Sequence, residues 1–467
     1  MEKQKQKRRR LLLMPSPLQG HVTPMLQLAH ILHSNGFSIT VIYTSSFTLP
    51  NLSSYPNFTF LSISDSLSEL EASASTSDPV HLTRLLNVRC VEPLKQCLDT
   101  LLKKKKDGDD DRVACFIADA ALHFTQSVCD GVKLPRLVLR TGGASSFLVF
   151  ASFPLLRQEG YLPVQESRLE EPVVELPPLK VKDLPKIETR DPDAFYEFVV
   201  QFVEECKASS GVIWNSFEEL ESFALAKLRQ LFSIPIYPIG PFHKHFPEGS
   251  TSSSLLTPDT SCISWLDKQE HNSVVYVSFG SIASITEAEF LEIAWGLANS
   301  MQPFLWVVRP GSIRGSEWLE PLPSGFMENL GGRGYIVKWA PQEQVLGHVA
   351  VGAFWTHNGW NSTLESICEG VPMICSPCFA DQKVNAKYVS DVWRVGVKLE
   401  NKLDREEIEK TIRNVMVGDE AKEIRDNVLD LKEKAKISLK EGGSSYCSLD
   451  GLVTDIFSLE SSISESH

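Results

Sequence analysis

The tightest constraint on this chain is a strand, a glycine turn and a helix run together within residues 351–370. Val351–Thr356 (VGAFWT) is an apolar run of buried-strand length. His357-Asn358-Gly359 reads as a tight turn. Asn361-Ser362-Thr363 then opens a helical pattern carried by Leu364, Ile367 and Cys368, which stops at Gly370. A strand that feeds a helix through a glycine turn presents unbonded backbone N–H groups at the positive end of the helix dipole, a ready phosphate site. Asn361 and Ser362 add side-chain donors there, and His357 adds another. Upstream, the Trp339 ring offers a stacking face for a nucleobase. Downstream, Asp381-Gln382 combine an ionised acceptor with an amide, a pairing suited to sugar hydroxyls.

The same alternation opens the chain. Residues 11–14 form a short buried strand, and Pro24 marks where a helix begins, with Met25, Leu28, Ala29 and Leu32 on one face and Asn35-Gly36 as its stop. Residues 37–43 return as a strand. The turn lacks GxGxxG, and the second strand ends in Tyr43-Thr44-Ser45 without an acidic ribose clamp, which disfavours an NAD-dependent dehydrogenase. His21 stands in the turn after the first strand, where an α/β sheet exposes its ligand crevice. Residues 113–118 form another strand and deliver Asp119 at its carboxyl end. If the two elements lie side by side, Asp119 accepts a hydrogen bond from His21, fixes its tautomer and stabilises the imidazolium; the plainer role for Asp119 is a helix N-cap. Residues 137–139 lead to Thr141, and Phe147, Phe150, Phe153 and Leu156 recur at helical spacing as core, with one or two lining an apolar pocket.

Residues 234–247 are rich in Pro and Gly and residues 249–254 in Ser, the best candidate for a domain boundary. Strand and helix then alternate again: 274–279 ends at Gly280-Ser281, Thr286 to Glu289 form a capping box, and 304–309 and 334–338 are strands, the last delivering Trp339. Ser278 and Ser281 fall at a strand end, as simple caps or as phosphate contacts. The net charge of −13 argues against a nucleic-acid partner, so an anionic ligand must be held by local dipoles. Ten scattered cysteines show no disulfide framework, and Cys375 to Cys378 is a CxxC without a second pair. Lysines at 103–106 and aspartates within 107–111 suit a solvated loop better than a metal site. Residues 1–15 imitate a signal peptide, but the apolar run is too short and ends at Pro15.

Residues 339–382 resemble the signature box of the plant UDP-sugar-dependent small-molecule glycosyltransferases, a family of inverting enzymes. The match runs through Trp339, Pro341-Gln342, His348, Gly352, Phe354, Thr356-His357, Gly359-Trp360-Asn361-Ser362, Glu365, Gly370-Val371-Pro372, Pro377 and Asp381-Gln382, and departs at Asn358, where the family usually carries Cys. Gly20-His21-Val22-Thr23-Pro24 is similar to the family's catalytic-histidine turn.

The resemblance implies an α/β chain of GT-B fold, two facing doubly wound Rossmann-like domains with a cleft between them. Residues 1–240 would bind the acceptor, 241–260 would link, 261–445 would bind the UDP-sugar, and a helix over 446–467 would return to the first domain. It makes His21 the base with Asp119 as its partner and puts Thr141 near the donor sugar, although Gly142-Gly143 beside it is less usual. Trp339 would stack on uracil and the Ala340 backbone meet its edge. Gln342 and Glu365 would hold the ribose. Ser278, Ser281, His357, Asn361 and Ser362 would hold the diphosphate, and Trp360, Asp381 and Gln382 the sugar, with Gln382 rather than His favouring glucose. Leu122, His123, Phe124, Phe147 and Phe379 are candidates for an apolar acceptor pocket. UDP-glucose is then a co-substrate with no metal cofactor, in a cytoplasmic monomer without nucleic-acid or membrane partners. The alternatives are another UDP-sugar donor, or a protein that binds a UDP-sugar without chemistry.

Overall fold

The computed structural model describes residues 9–46, 52–68, 79–103, 112–185, 192–246, 256–281, 283–399 and 403–464. The aspartate half of the charge block, the 249–254 serine run and the first 8 residues lie outside the described residues.

The chain divides into two compact units. In the first, seven parallel strands, β1 (Arg9–Met14), β2 (Ser38–Thr44), β3 (Phe58–Ile63), β4 (Arg112–Asp119), β5 (Arg136–Arg140), β6 (Gly211–Trp214) and β7 (Ile236–Pro238), are ordered β3-β2-β1-β4-β5-β6-β7. In the second, β8 (Val274–Ser278), β9 (Phe304–Val307), β10 (Gly334–Val337), β11 (Val351–Thr356), β12 (Met373–Cys375) and β13 (Gly396–Lys398) are ordered β10-β9-β8-β11-β12-β13. Each sheet thus reverses direction between its first and fourth strands, the doubly wound order whose ligands bind beyond the carboxyl ends of the strands at the reversal. The strands are near-continuous apolar runs because helices cover both faces, as parallel sheets require; Leu11, Leu12, Leu13 and Met14 of β1 are all fully buried.

The units are not continuous in sequence. Residues 156–187 group with the second unit, although the sequence reading assigned them to the first domain. Lys398 Nζ reaches the fully buried Asp183 carboxylate at 3.4 Å, an ion pair that ties this Pro-rich segment to β13. Residues 438–467 group with the first unit. There Leu452 and Ile456 of helix Ser444–Ser464 enter the core around β1, and Tyr237 donates to Asp455 at 2.5 Å.

One helix start moves. Helix Gln19–Ser34 opens on the Leu18 carbonyl, which accepts from the N–H groups of His21 and Val22 at 2.8 Å each. Pro24, expected at the helix start, is inside it, where it cannot donate the backbone hydrogen bond of that position. His21 therefore stands in the first turn of the helix rather than in the loop before it.

Candidate active site

At the reversal point of the first sheet, β1 and β4 pair directly, with Met14 opposite Ala118. That pairing puts the end of β4 beside the helix that follows β1. His21 Nδ1 lies 2.7 Å from Asp119 Oδ2, and Thr141 Oγ1 lies 3.2 Å from the same nitrogen. Asp119 is fully buried, whereas the His21 side chain keeps 25% of its surface exposed. Burial alone would raise the Asp119 carboxyl, but the His21 ring and its hydrogen bond, the Ala121 N–H and the Arg140 guanidinium outweigh it and hold it below the usual carboxylate range. An ionised Asp119 accepts a hydrogen bond from Nδ1–H, the tautomer that leaves the lone pair on Nε2. The loop after β5 is pinned from behind by Glu221, which accepts from Ala144 N and Ser145 N at 2.8 Å each and from Ser216 Oγ at 2.7 Å. Glu221 has no signal in the sequence, since the two backbone groups it holds lie 76 and 77 residues away.

In the second unit, β8 and β11 pair at the reversal point, with Ser278 opposite Thr356. Asn358 takes the left-handed conformation (φ 60°) that the turn reading anticipated. Its Nδ2 donates to Cys375 Sγ at 3.2 Å, and its carbonyl accepts from Asn385 Nδ2 at 2.9 Å. Helix Trp360–Glu369 follows and ends at Gly370 in the left-handed region. The His357 ring is wedged between two glycines: a Cβ on Gly280 or on Gly359 would sit 2.6 Å from it. Enclosure pushes the His357 imidazole down to about 4, so in the free protein it contributes one N–H and a dipole, not a charge. Gly280 also has φ +76°. Gly280→Ala is therefore expected to displace the His357 ring and weaken UDP binding at least ~10-fold, the loss of roughly one charge-assisted hydrogen bond. Titration calorimetry with UDP checks this, and an unchanged affinity would count against a phosphate role for His357.

Gln342, Ser362 and Glu365 come together as one cluster. Gln342 Nε2 donates to Glu365 Oε2 at 2.6 Å and to Ser362 Oγ at 2.9 Å, while the Tyr276 hydroxyl donates to Gln342 Oε1 at 3.2 Å. Tyr276 was missed from sequence; a tyrosine within a buried strand needs a partner for its hydroxyl, and that was the available signal. Trp339 is half-buried, packed against the apolar cluster that holds Ala340 and Leu346. Gln382 Oε1 accepts from Cys378 N at 2.8 Å and from Phe379 N at 3.0 Å. These two donors fix the orientation of the amide, with Oε1 toward the backbone of Cys378 and Phe379. Ser281 is half-exposed at the β8 turn, and Asp381 accepts from Asn385 Nδ2 at 3.4 Å.

Several candidates sit elsewhere than the sequence suggested. Trp360 is 4% exposed, its ring 6.3 Å from that of Trp393, so the indole is largely enclosed by the protein. Leu122 and Phe147 have no exposed surface; Phe147 stands edge-on to Phe202, Trp214 and Phe232. Both are core, as is Phe124 at 5% exposure, because the β4 and β5 connections fold back over the sheet. His123 is 8% exposed against Phe198, and Phe379 is half-exposed.

Three enclosed histidines, His123 buried and His243 and His357 half-buried, also contribute to the acid stability. Burial, and for His123 the nearby Arg136, pushes His123 and His357 down to about 4, and burial with Lys244 and His245 pushes His243 down to about 3. Unfolded histidines titrate near 6.5, so below that pH the unfolded chain takes up protons that the folded chain refuses. Stability is thus complete above about pH 6.5 and falls toward pH 4, by at most about 1.4 kcal/mol per histidine per pH unit. Calorimetric Tm values should decline steadily over that window; a flat profile would contradict the burial of these rings.

No helix among the described residues is long and apolar enough to cross a membrane. The family model described as UDP-glucoronosyl and UDP-glucosyl transferase matches residues 258–435. UDP-glycosyltransferase 76B1 of Arabidopsis thaliana is 51% identical over 448 residues, covering 96% of this chain and 98% of that protein. Among solved structures, Os79 from O. sativa in complex with UDP aligns with a TM-score of 0.80 at 29% identity, over 96% of this chain and 100% of that one. A UDP-glucosyltransferase from Polygonum tinctorium capable of glucosylating indoxyl aligns with a TM-score of 0.80 at 29% identity, over 97% and 99% of the two chains.

Proposed function

Since the chain belongs to the plant family 1 UDP-glycosyltransferases, we propose that it transfers glucose from UDP-glucose to a hydroxyl of a small lipophilic plant metabolite of the terpenoid, phenolic or cytokinin type. The observation that carries this reading is the 2.7 Å His21–Asp119 pair at the reversal point of one sheet, in a chain whose other sheet has a strand, a glycine turn and a helix N-terminus at its own. A protein that only bound UDP-sugars would not need a buried carboxylate orienting a half-open imidazole.

In the proposed reaction Trp339 stacks on uracil, whose edge meets the Ala340 backbone, and Glu365 with Gln342 holds the ribose. The helix N-terminus at Trp360, Asn361 and Ser362, with His357, Ser278 and Ser281, stabilises the departing diphosphate without a metal. Thr141, Asp381 and Gln382 orient the hexose. His21 Nε2 removes the acceptor proton as the oxygen attacks C1 from the face opposite UDP; a single displacement of this kind inverts the anomeric centre to a β-glucoside. His123 and Phe379 remain the candidate acceptor contacts. Glucose is favoured by Gln382 and by the glucosyl transfer named for the Polygonum tinctorium enzyme. A cytoplasmic location fits a chain in which none of the ten cysteines joins a disulfide.

The test is incubation with competing UDP-glucose, UDP-galactose and UDP-xylose over a panel of terpenoids, phenolics and cytokinins, with and without EDTA, read by mass gain. A hexose gain from UDP-glucose that survives the chelator is expected. Preference for another donor would replace glucose in the reading, chelator sensitivity would end the metal-free mechanism, and the absence of any product would favour a binding protein.

A further inference from the structure

Asn385, on helix Gln382–Lys387, is 2% exposed, and its side-chain amide joins two parts of the candidate donor site. Nδ2 donates to the Asn358 carbonyl at 2.9 Å and to Asp381 Oδ2 at 3.4 Å. The amide has one workable orientation, since the reverse would set Oδ1 against a carbonyl and a carboxylate, acceptor on acceptor. Asn358 belongs to the left-handed turn between β11 and helix Trp360–Glu369. Asp381 lies on the connection that follows β12, just before helix Gln382–Lys387.

Satisfying a buried carbonyl takes one hydrogen. The turn also has other holds, with Asn358 N donating to Thr356 Oγ1 at 3.1 Å and Asn358 Nδ2 to Cys375 Sγ at 3.2 Å. The second hydrogen of Asn385 goes to a carboxylate that a helix ordinarily uses for itself. Asp381 is the N-cap residue, where an aspartate usually accepts from the second or third N–H of the helix, yet its side chain makes no cap hydrogen bond. Its neighbour Gln382 is held by the backbone of Cys378 and Phe379. The two candidate sugar contacts are therefore anchored differently: Gln382 to the loop after β12, and Asp381 through Asn385 to the turn after β11.

We infer that Asn385 is a positioning residue for donor recognition: its one amide fixes the Asp381 carboxylate against the turn at Asn358, so that the hexose and the diphosphate are met in a single preset arrangement. The inference rests on the proposed roles of Asp381 and of the 357–359 turn. A carboxylate that loses this donor samples more rotamers, and a ligand must then order it at a cost in affinity. Loss of the turn contact acts on UDP and on a UDP-sugar alike, because both carry the diphosphate. Loss of the Asp381 contact acts only on the ligand that bears the sugar.

The experiment is titration calorimetry of the full chain, without acceptor, with UDP and with UDP-glucose, for the wild type, N385L, D381A and the double variant. The readout is the ratio of the UDP Kd to the UDP-glucose Kd, from which every effect common to both ligands cancels. N385L should lower this ratio roughly 3–10-fold, the worth of one ordinary hydrogen bond, and D381A at least as much. Where Asp381 is already alanine, adding N385L should leave the ratio within about two-fold. A residue that merely packed would lower Tm or weaken both ligands equally; an N385L ratio that matches the wild type, beside a lowered D381A ratio, overturns the inference alone. So does an N385L drop of the same size with Asp381 present or absent. A D381A ratio at the wild-type value would instead remove Asp381 from sugar binding, and the inference with it. Should N385L not accumulate as folded protein, N385S, one atom shorter than asparagine, makes the same comparison. If the competition assay selects another donor, that UDP-sugar takes the place of UDP-glucose.

Discussion

His21→Ala is expected to lower turnover on a weakly acidic hydroxyl by ~10²–10⁴, the usual worth of a general base, while UDP affinity stays within about two-fold. The two observables separate because His21 belongs to the first unit, whereas Trp339, Gln342 and Glu365 belong to the second. Asp119→Asn should also be severe. The buried carboxylate accepts Nδ1–H and so leaves Nε2 free to take the acceptor proton; an amide can present its NH2 to Nδ1 instead and select the opposite tautomer. Highly acidic phenols will understate both effects, since they ionise unaided. Wild-type turnover by the alanine variant on an aliphatic alcohol would remove His21 from the chemistry.

Glu365→Ala should act almost entirely on the donor, raising KM for the UDP-sugar and Kd for UDP by roughly 10–100-fold, the equivalent of one lost hydrogen bond to a charged group. Glu365 is 8% exposed and anchored by Gln342 at 2.6 Å, which is itself anchored by Tyr276, so the carboxylate is set in place before a ribose arrives. That preorganisation spares the cost of ordering a long side chain on binding. Glu365→Gln keeps the shape but loses the charge and should fall between the two. The acceptor KM should change little. If UDP bound Glu365→Ala as tightly as wild type, the ribose assignment would fail, and the 342–362–365 cluster would be read as helix packing alone.

What the sequence by itself determined was local. The apolar run of β11, the turn at Asn358 and the stop at Gly370 were legible because strand length, left-handed tolerance and helix termination are settled within a few residues. The histidine and the carboxylate were legible as strand-end residues, and the resemblance supplied their partnership. The tertiary structure alone decided that β1 and β4 pair, that Trp360 and Phe147 turn inward, and that residues 156–187 join the second unit through Lys398 and Asp183. It also brought Glu221 to the backbone of Ala144 and set Arg140 among three phenylalanines. Those outcomes depend on which surfaces meet across tens to hundreds of residues, and an aromatic at helical spacing or a charge at a strand end is compatible with either face until the partner that covers it is known.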